Sequence, residues 1–239
     1  MASTIQLTRT VNNAIQFIRN APLDNNAAGD PAFTIGDWVR MFMLAPPFAW
    51  RWNRSTTTFT TTAGTQDYTE SLSTFGYLEM ASITDNTGAT PIVHELAIAN
   101  NLAEESTQNQ PTTIAARLDN DTGSITFRIT PTPDKVYTVT VTYQNAAALF
   151  TNLTNTWTPI PDFMSHIYNQ GYLAKTYEYM NDPRAGLAMQ IFFKQLAAAS
   201  AGLDDRQRNI FIQQFLDTTR DQQAQLGKSQ LATQARSSL

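Results

Sequence analysis

The hydrophobic period of this chain changes twice, and nothing else in it constrains the fold as tightly. Apolar residues recur at helical spacing up to about position 54, alternate in twos up to about 158, and then return to helical spacing. A pattern written for strands does not settle as a helix, nor the reverse. The expectation is therefore helices at both ends and a sheet between them.

In the first section Thr4 is placed to cap a helix carrying Leu7, Val11, Ala14, Ile15 and Ile18 on one stripe. Ala21-Pro22 ends it, because the residue before a proline is pushed out of the helical region. A second helix fits Thr34 to Leu44, with Ile35, Trp38, Val39 and Phe42 on one side, and stops before Pro46-Pro47.

About a quarter of positions 55–158 are threonine, a β-branched residue suited to pleated surfaces. Alternation is clearest in Ser124–Thr130, through Ile125, Phe127 and Ile129, and in Val136–Tyr143, through Tyr137, Val139, Val141 and Tyr143. With Pro131-Thr-Pro-Asp-Lys135 as the turn, the two read as an antiparallel hairpin with one buried face. Further strands are expected at 56–62, from Tyr68, at 77–84, 91–98 and 112–118, with 96–105 open to a short helix instead. Strands about ten residues apart suit a sandwich or barrel.

Asp162, after Pro159 and Pro161, is a candidate cap for a helix through Phe163, Ile167, Gln170, Ala174 and Tyr177. Asp182-Pro183 opens a second, with Leu187, Ile191 and Leu196 flanked by Phe192 and Phe193. Asp204 or Asp205 opens a third, with Phe211, Ile212, Phe215 and Leu216. Phe163, Ile167, Leu187, Ile191, Phe211 and Phe215 are expected to share one core.

The fold class expected is thus α+β: a helical bundle from the N- and C-terminal helices with an inserted antiparallel β-sandwich or barrel. Its parts are residues 1–54 and 159–226 for the bundle, 55–158 for the β-rich insertion, and 227–239 for an extended tail. That tail has Leu231 and Leu239 as its large apolar side chains and Lys228 and Arg236 as its charges. Ordering its backbone costs about 1–2 kcal/mol per residue, so a neighbour is expected to supply the contacts that order it.

Chemistry is thinly represented. The absence of cysteine excludes disulfides, thiolate metal sites and a thiol nucleophile. The two histidines, His94 and His166, are read as surface residues, since each lacks the converging partners that a base or a metal site needs. Glu104-Glu105 and Asp204-Asp205 are sequence neighbours that diverge, whereas hydrolytic acid pairs converge across a cleft. Asp119–Gly123 is read as a turn rather than a calcium loop. No enzyme activity and no cofactor is expected.

With a net charge of −4, broad phosphate binding is not favoured. Arg40, Arg51 and Arg54 lie near Trp38, Trp50 and Trp52 in sequence. Arginine with tryptophan suits a protein interface, so these six, with Leu231, Arg236 and Leu239, are the candidate interface residues. A carbohydrate-binding sandwich, with Trp50, Trp52 and Tyr68 as stacking platforms, is the alternative from another class. The longest apolar run, Met41–Trp50, is far short of the roughly 20 residues of a spanning helix. Neither a membrane segment nor a secretion signal is read.

Phe59-Thr-Thr-Thr-Ala-Gly-Thr-Gln-Asp-Tyr68, followed by Phe75-Gly-Tyr-Leu-Glu-Met80, resembles a pattern in head-to-tail adaptor proteins of tailed bacteriophages. So does Trp157-Thr-Pro-Ile-Pro-Asp-Phe163 leading into Ala174-Lys-Thr-Tyr-Glu-Tyr179 and Asp182-Pro183. The likeness covers roughly residues 34 to 216 and departs at Glu70-Ser71, where that pattern has Leu-Pro. It implies a structural virion protein at the head–tail junction, assembled in the host cytoplasm. It further implies a ring of about twelve copies joining the portal protein to tail or nozzle proteins. Genomic DNA would cross the channel without sequence-specific binding. A different neck or tail component is the neighbouring possibility.

Overall fold

The computed structural model describes residues 3–18, 23, 31–88, 90–118 and 124–200. It divides into two compact units, one of Met1–Phe48 with the residues from Leu149 on, the other of Ala49–Ala148. The third C-terminal helix and the tail expected from sequence lie outside the described residues, as does the 119–123 turn.

The second unit is a sheet. Its strands are β1 (Arg54–Thr60), β2 (Asp67–Glu70), β3 (Phe75–Asp85), β4 (Ile92–Ile98), β5 (Gln108–Asn109), β6 (Thr113–Leu118), β7 (Ile125–Thr130), β8 (Thr132–Pro133) and β9 (Thr138–Asn145). Seven of them form one sheet in the order β1-β9-β3-β4-β6-β7-β2, and β5 pairs with β8. Every pairing in the large sheet is antiparallel except a short parallel junction of β4 with β6, Ala97 opposite Thr113 and Ile98 opposite Ile114. The sheet nearly closes on itself. At its two ends the ring of Phe59 on β1 stacks on Tyr68 of β2, 5.0 Å between centroids, and lies 5.6 Å from Phe127.

Alternation sets which side chains turn inward. Ile125, Phe127 and Ile129 are buried with Thr126, Arg128 and Thr130 between them, and Val139 and Val141 repeat the rule on β9. These join Phe59, Ile83, Leu96, Ile114 and Tyr137 in one core. The threonines between the inward residues meet across strands: the Thr56 and Thr142 hydroxyls are 3.4 Å apart, and those of Thr69 and Thr126 are 3.2 Å apart.

The expected hairpin of 124–130 with 136–143 does not form. β7 lies between β6 and β2, while β9 lies between β1 and β3. The link between them carries Pro131 and Pro133, which lack the N–H that a ladder needs, and its Thr132-Pro133 pairs with Gln108-Asn109. The strands therefore contribute to one core from separate places in the sheet. Residues 96–105 form no helix; β4 runs to Ile98 and an irregular segment follows.

In the other unit the helices are α1 (Leu7–Phe17), α2 (Pro31–Leu44), α3 (Ser165–Tyr179) and α4 (Ala185–Ala199). α1, α2 and α4 each contact α3. Being surrounded, α3 buries Ile167, Tyr168, Gly171, Tyr172, Ala174, Thr176 and Tyr177 rather than a single stripe. Two of its tyrosines are satisfied through their tips: Tyr168 Oη donates to the Gly36 carbonyl at 3.0 Å and Tyr172 Oη to that of Ala32 at 3.2 Å. Gly171 lets α4 approach, since a Cβ there would stand 2.6 Å from the Phe192 ring. Just past the end of α3, Asn181 has a φ of 52°, a left-handed value that asparagine tolerates. Asp182 Oδ1 then accepts from the Arg184 N–H at 2.9 Å, just before α4 begins.

Two expectations about caps and core are corrected here. α1 starts at Leu7 rather than after Thr4, and Asp162 caps no helix with its side chain. Instead Asp162 accepts from Ser3 Oγ (2.8 Å), Thr4 N (3.0 Å) and Thr4 Oγ1 (2.6 Å), tying the start of the chain to the start of α3. Nor do Phe163, Leu187 and Ile191 share the core of Ile167: they are 66%, 62% and 39% exposed. α4 is apolar around most of its circumference. Its buried positions are Ala188, Met189, Phe192, Phe193, Leu196 and Ala197, and the big aromatics rather than the leucine stripe set the inward phase.

Candidate interface surface

The two halves of the predicted arginine–tryptophan cluster belong to different units. Trp38 and Arg40 are on α2. Trp50, Arg51, Trp52 and Arg54 are in the sheet unit, around a short 3-10 turn of Arg51–Asn53. Leu231, Arg236 and Leu239 lie outside the described residues.

Arg40 sits on the inward face of α2 and is only 4% exposed. Its guanidinium donates to Asp37 Oδ1 (2.9 Å) and to the Thr158 carbonyl (3.2 Å), and lies 3.7 Å from the Phe150 ring centroid. Burial lowers its pKa, against the opposing pull of Tyr168 and Asp37. This arginine holds its own unit together and offers no surface charge to a partner, contrary to the expectation for it.

Trp50 is likewise buried. Its backbone N–H donates to Gln144 Oε1 at 3.2 Å, its carbonyl accepts from Gln144 Nε2 at 3.1 Å, and its ring stacks on Trp52 at 5.4 Å. Tyr68 spends its hydroxyl on the turn at 62–65 and its ring on Phe59. A sugar platform needs an open ring face, which Trp50 at 3% exposure does not present. Arg51 is exposed. Arg54 makes a two-pronged ion pair with Glu79, Nε to Oε2 at 2.8 Å and Nη2 to Oε1. Burial alone would raise the Glu79 carboxyl, but hydrogen bonds from Arg54 and Gln144 outweigh it and leave it lowered.

His94 is an exposed residue of β4, in register with Ile83. His166 is exposed as well, its Nδ1 3.2 Å from the Phe163 carbonyl. Glu104 lies 3.7 Å from Arg128, whose principal partner is Asp67. Among the described residues no three histidine or acidic side chains converge as metal ligands, and no helix is long and apolar enough to cross a membrane.

Two surfaces of the helical unit went unrecognised in the sequence. One is a groove of about 520 Å³ lined by Pro31, Ile35 and Trp38 of α2 and Lys175, Glu178 and Tyr179 of α3. Its Trp38 is stacked on Phe42 at 5.3 Å, with Lys175 Nζ 4.7 Å from the Trp38 ring centroid and 2.9 Å from Glu178 Oε1. The other is the outward face of α4, where Leu187, Ile191, Lys194 and Ala198 are exposed at i, i+4, i+7 and i+11. Only Trp38 was flagged by composition; the groove itself joins residues more than 130 positions apart.

In the sheet unit a polar cleft of about 580 Å³ separates the unpaired edges of β1 and β2, flanked by Thr58, Thr60, Thr65, Asp67 and Thr69. No curated protein matches the chain in sequence. Residues 7–221, spanning both units, match the SU10 adaptor protein family, and the chain belongs to that family of phage head-to-tail adaptors.

Proposed function

We propose that this phage adaptor assembles as a closed ring of about twelve copies between the portal and the tail, continuing the channel through which DNA leaves the head. The observation that carries this reading is the family match over 7–221, which takes in the helical and the sheet unit alike. Physical features of the chain agree with it. Charge is sparse at 15% of residues, as suits polar subunit contacts, and the net charge of −4 lets DNA slide without adhering. In this reading the helical unit, Met1–Phe48 with the chain from Leu149 on, is the ring body, Ala49–Ala148 is the sheet insertion, and 227–239 is the portal-binding tail.

The protein acts as a structural part of the virion, assembled in the host cytoplasm, with no catalytic step and no cofactor. Portal and tail or nozzle proteins are its partners on the two sides. Light scattering after size exclusion tests the reading directly: the pure chain, or the chain mixed with portal rings, should elute as one species carrying about twelve adaptor subunits. A chain that stays monomeric in both cases overturns it.

A further inference from the structure

The α2–α3 groove and the outward stripe of α4 are two unlike patches on one unit, and they match. The groove is mostly apolar, lined by Ile35, Trp38 and Tyr179, and its charged residues are Lys175 and Glu178, paired with each other, with Glu178 53% exposed and open to a further cation. The stripe presents Leu187 and Ile191 one helical turn apart, with Lys194 one turn further on and exposed. Anchors at i, i+4 and i+7 are how an amphipathic helix lies in a groove. The stripe cannot reach the groove of its own chain. α4 turns Phe192 and Phe193 inward, where Phe192 lies 6.5 Å from Trp38 and Phe193 5.0 Å from Phe42, so Leu187 and Ile191 point away.

We infer that α4 of one copy docks through Leu187 and Ile191 into the α2–α3 groove of a second copy, with Lys194 of the first facing Glu178 of the next. This rests on the ring reading above and names the contact that would build it. With one stripe entering one groove per pair of neighbours, the contact is head-to-tail, leaving the first copy its groove free and the second its stripe. Such a contact propagates until it closes, whereas a self-complementary patch stops at a pair.

The chain has no cysteine, so introduced thiols report one contact each. Full-length protein carrying Glu178→Cys and full-length protein carrying Lys194→Cys should each stay unlinked under mild oxidation. Mixed, they should give a disulfide-linked dimer, and a chain carrying both should give a ladder of linked oligomers. Lys194→Glu and Glu178→Lys should each weaken assembly about tenfold, and the chain carrying both changes should recover. An oligomer that forms in light scattering without the mixed disulfide, or with no recovery on charge exchange, overturns this contact and leaves the ring standing. A monomer under all conditions, portal rings included, removes the ring reading and this contact with it.

Discussion

Gly171→Ala should destabilise the protein although it improves a helix. In an exposed helix the change gains about 1 kcal/mol from propensity. At this site the new Cβ would stand 2.6, 2.9 and 2.9 Å from three atoms of the Phe192 ring, closer than carbon atoms approach. The ring cannot yield cheaply: Phe192 is fully buried, 6.1 Å from Phe42, 5.1 Å from Phe193 and 6.5 Å from Trp38 by ring centroids. Forcing one methyl into such packing costs about 1–3 kcal/mol, leaving a net loss of up to about 2 kcal/mol. Phe192→Ala alone should cost about 3–5 kcal/mol, and it removes the obstacle. On that background Gly171→Ala should change sign and stabilise, by up to about 1 kcal/mol. Urea melts of the four proteins, followed by helical circular dichroism, give the double-mutant cycle. The same effect of Gly171→Ala on both backgrounds would refute the close-approach argument.

Phe127→Ala, which empties the centre of the sheet core, should cost about 3–5 kcal/mol, read as the shift in the urea midpoint. Arg40→Ala leaves Asp37 without its guanidinium partner at a largely buried position and should cost about 3 kcal/mol or more; a loss under about 1 kcal/mol would mean that Arg40 is dispensable to the fold. Asp162 has its pKa lowered by hydrogen bonds from Thr4 and then Ser3. Its folded pKa lies below the unfolded one, so its contribution is complete above about pH 4 and disappears as pH falls through the folded value. Amide protection at Thr4 and Ile5, taken relative to the intrinsic exchange rate at each pH, should therefore fall on acidification below that point, and Asp162→Asn should remove that pH-dependent change in protection. A chain ending at Leu226 should melt as the full chain does yet saturate portal rings less tightly; unchanged portal affinity would show residues 227–239 to be dispensable.

Period was legible in the sequence, and neighbours were not. Alternation in Ser124–Thr130 and Val136–Tyr143 correctly marked the inward faces of both strands, because the face depends only on odd or even position. It could not tell that β9 lies beside β1 and β3 instead of β7, since pairing depends on where the Pro131–Pro133 link leads the chain. On α4 the signal failed through excess: with Leu187, Ile191, Phe192 and Phe193 all apolar, several stripes fit, and packing on Trp38 and Phe42 selected one. Asp162 looked like a local cap because aspartate before a helix usually is; its actual donors lie 158 and 159 positions away. Proximity in sequence misled most at Arg40, whose place on α2, one turn after the buried Gly36, turns it inward toward Phe150 and Thr158.

The antiparallel ladder of β1 with β9 sets Arg54 opposite Gln144. Since the helical unit is drawn from the chain on both sides of the sheet, its two parts would otherwise have to find each other across a long linker. Closing a loop of roughly 100 residues by diffusion costs about 4 kcal/mol of chain entropy. Once β1 and β9 have paired, that search is over. Residues 49–148 also leave the ribosome before α3 and α4 exist, so the order of synthesis favours the sheet as the first structure formed. Truncated nascent chains ending near residue 190 should then protect β1 and β9 from protease while α1 and α2 are still cleaved.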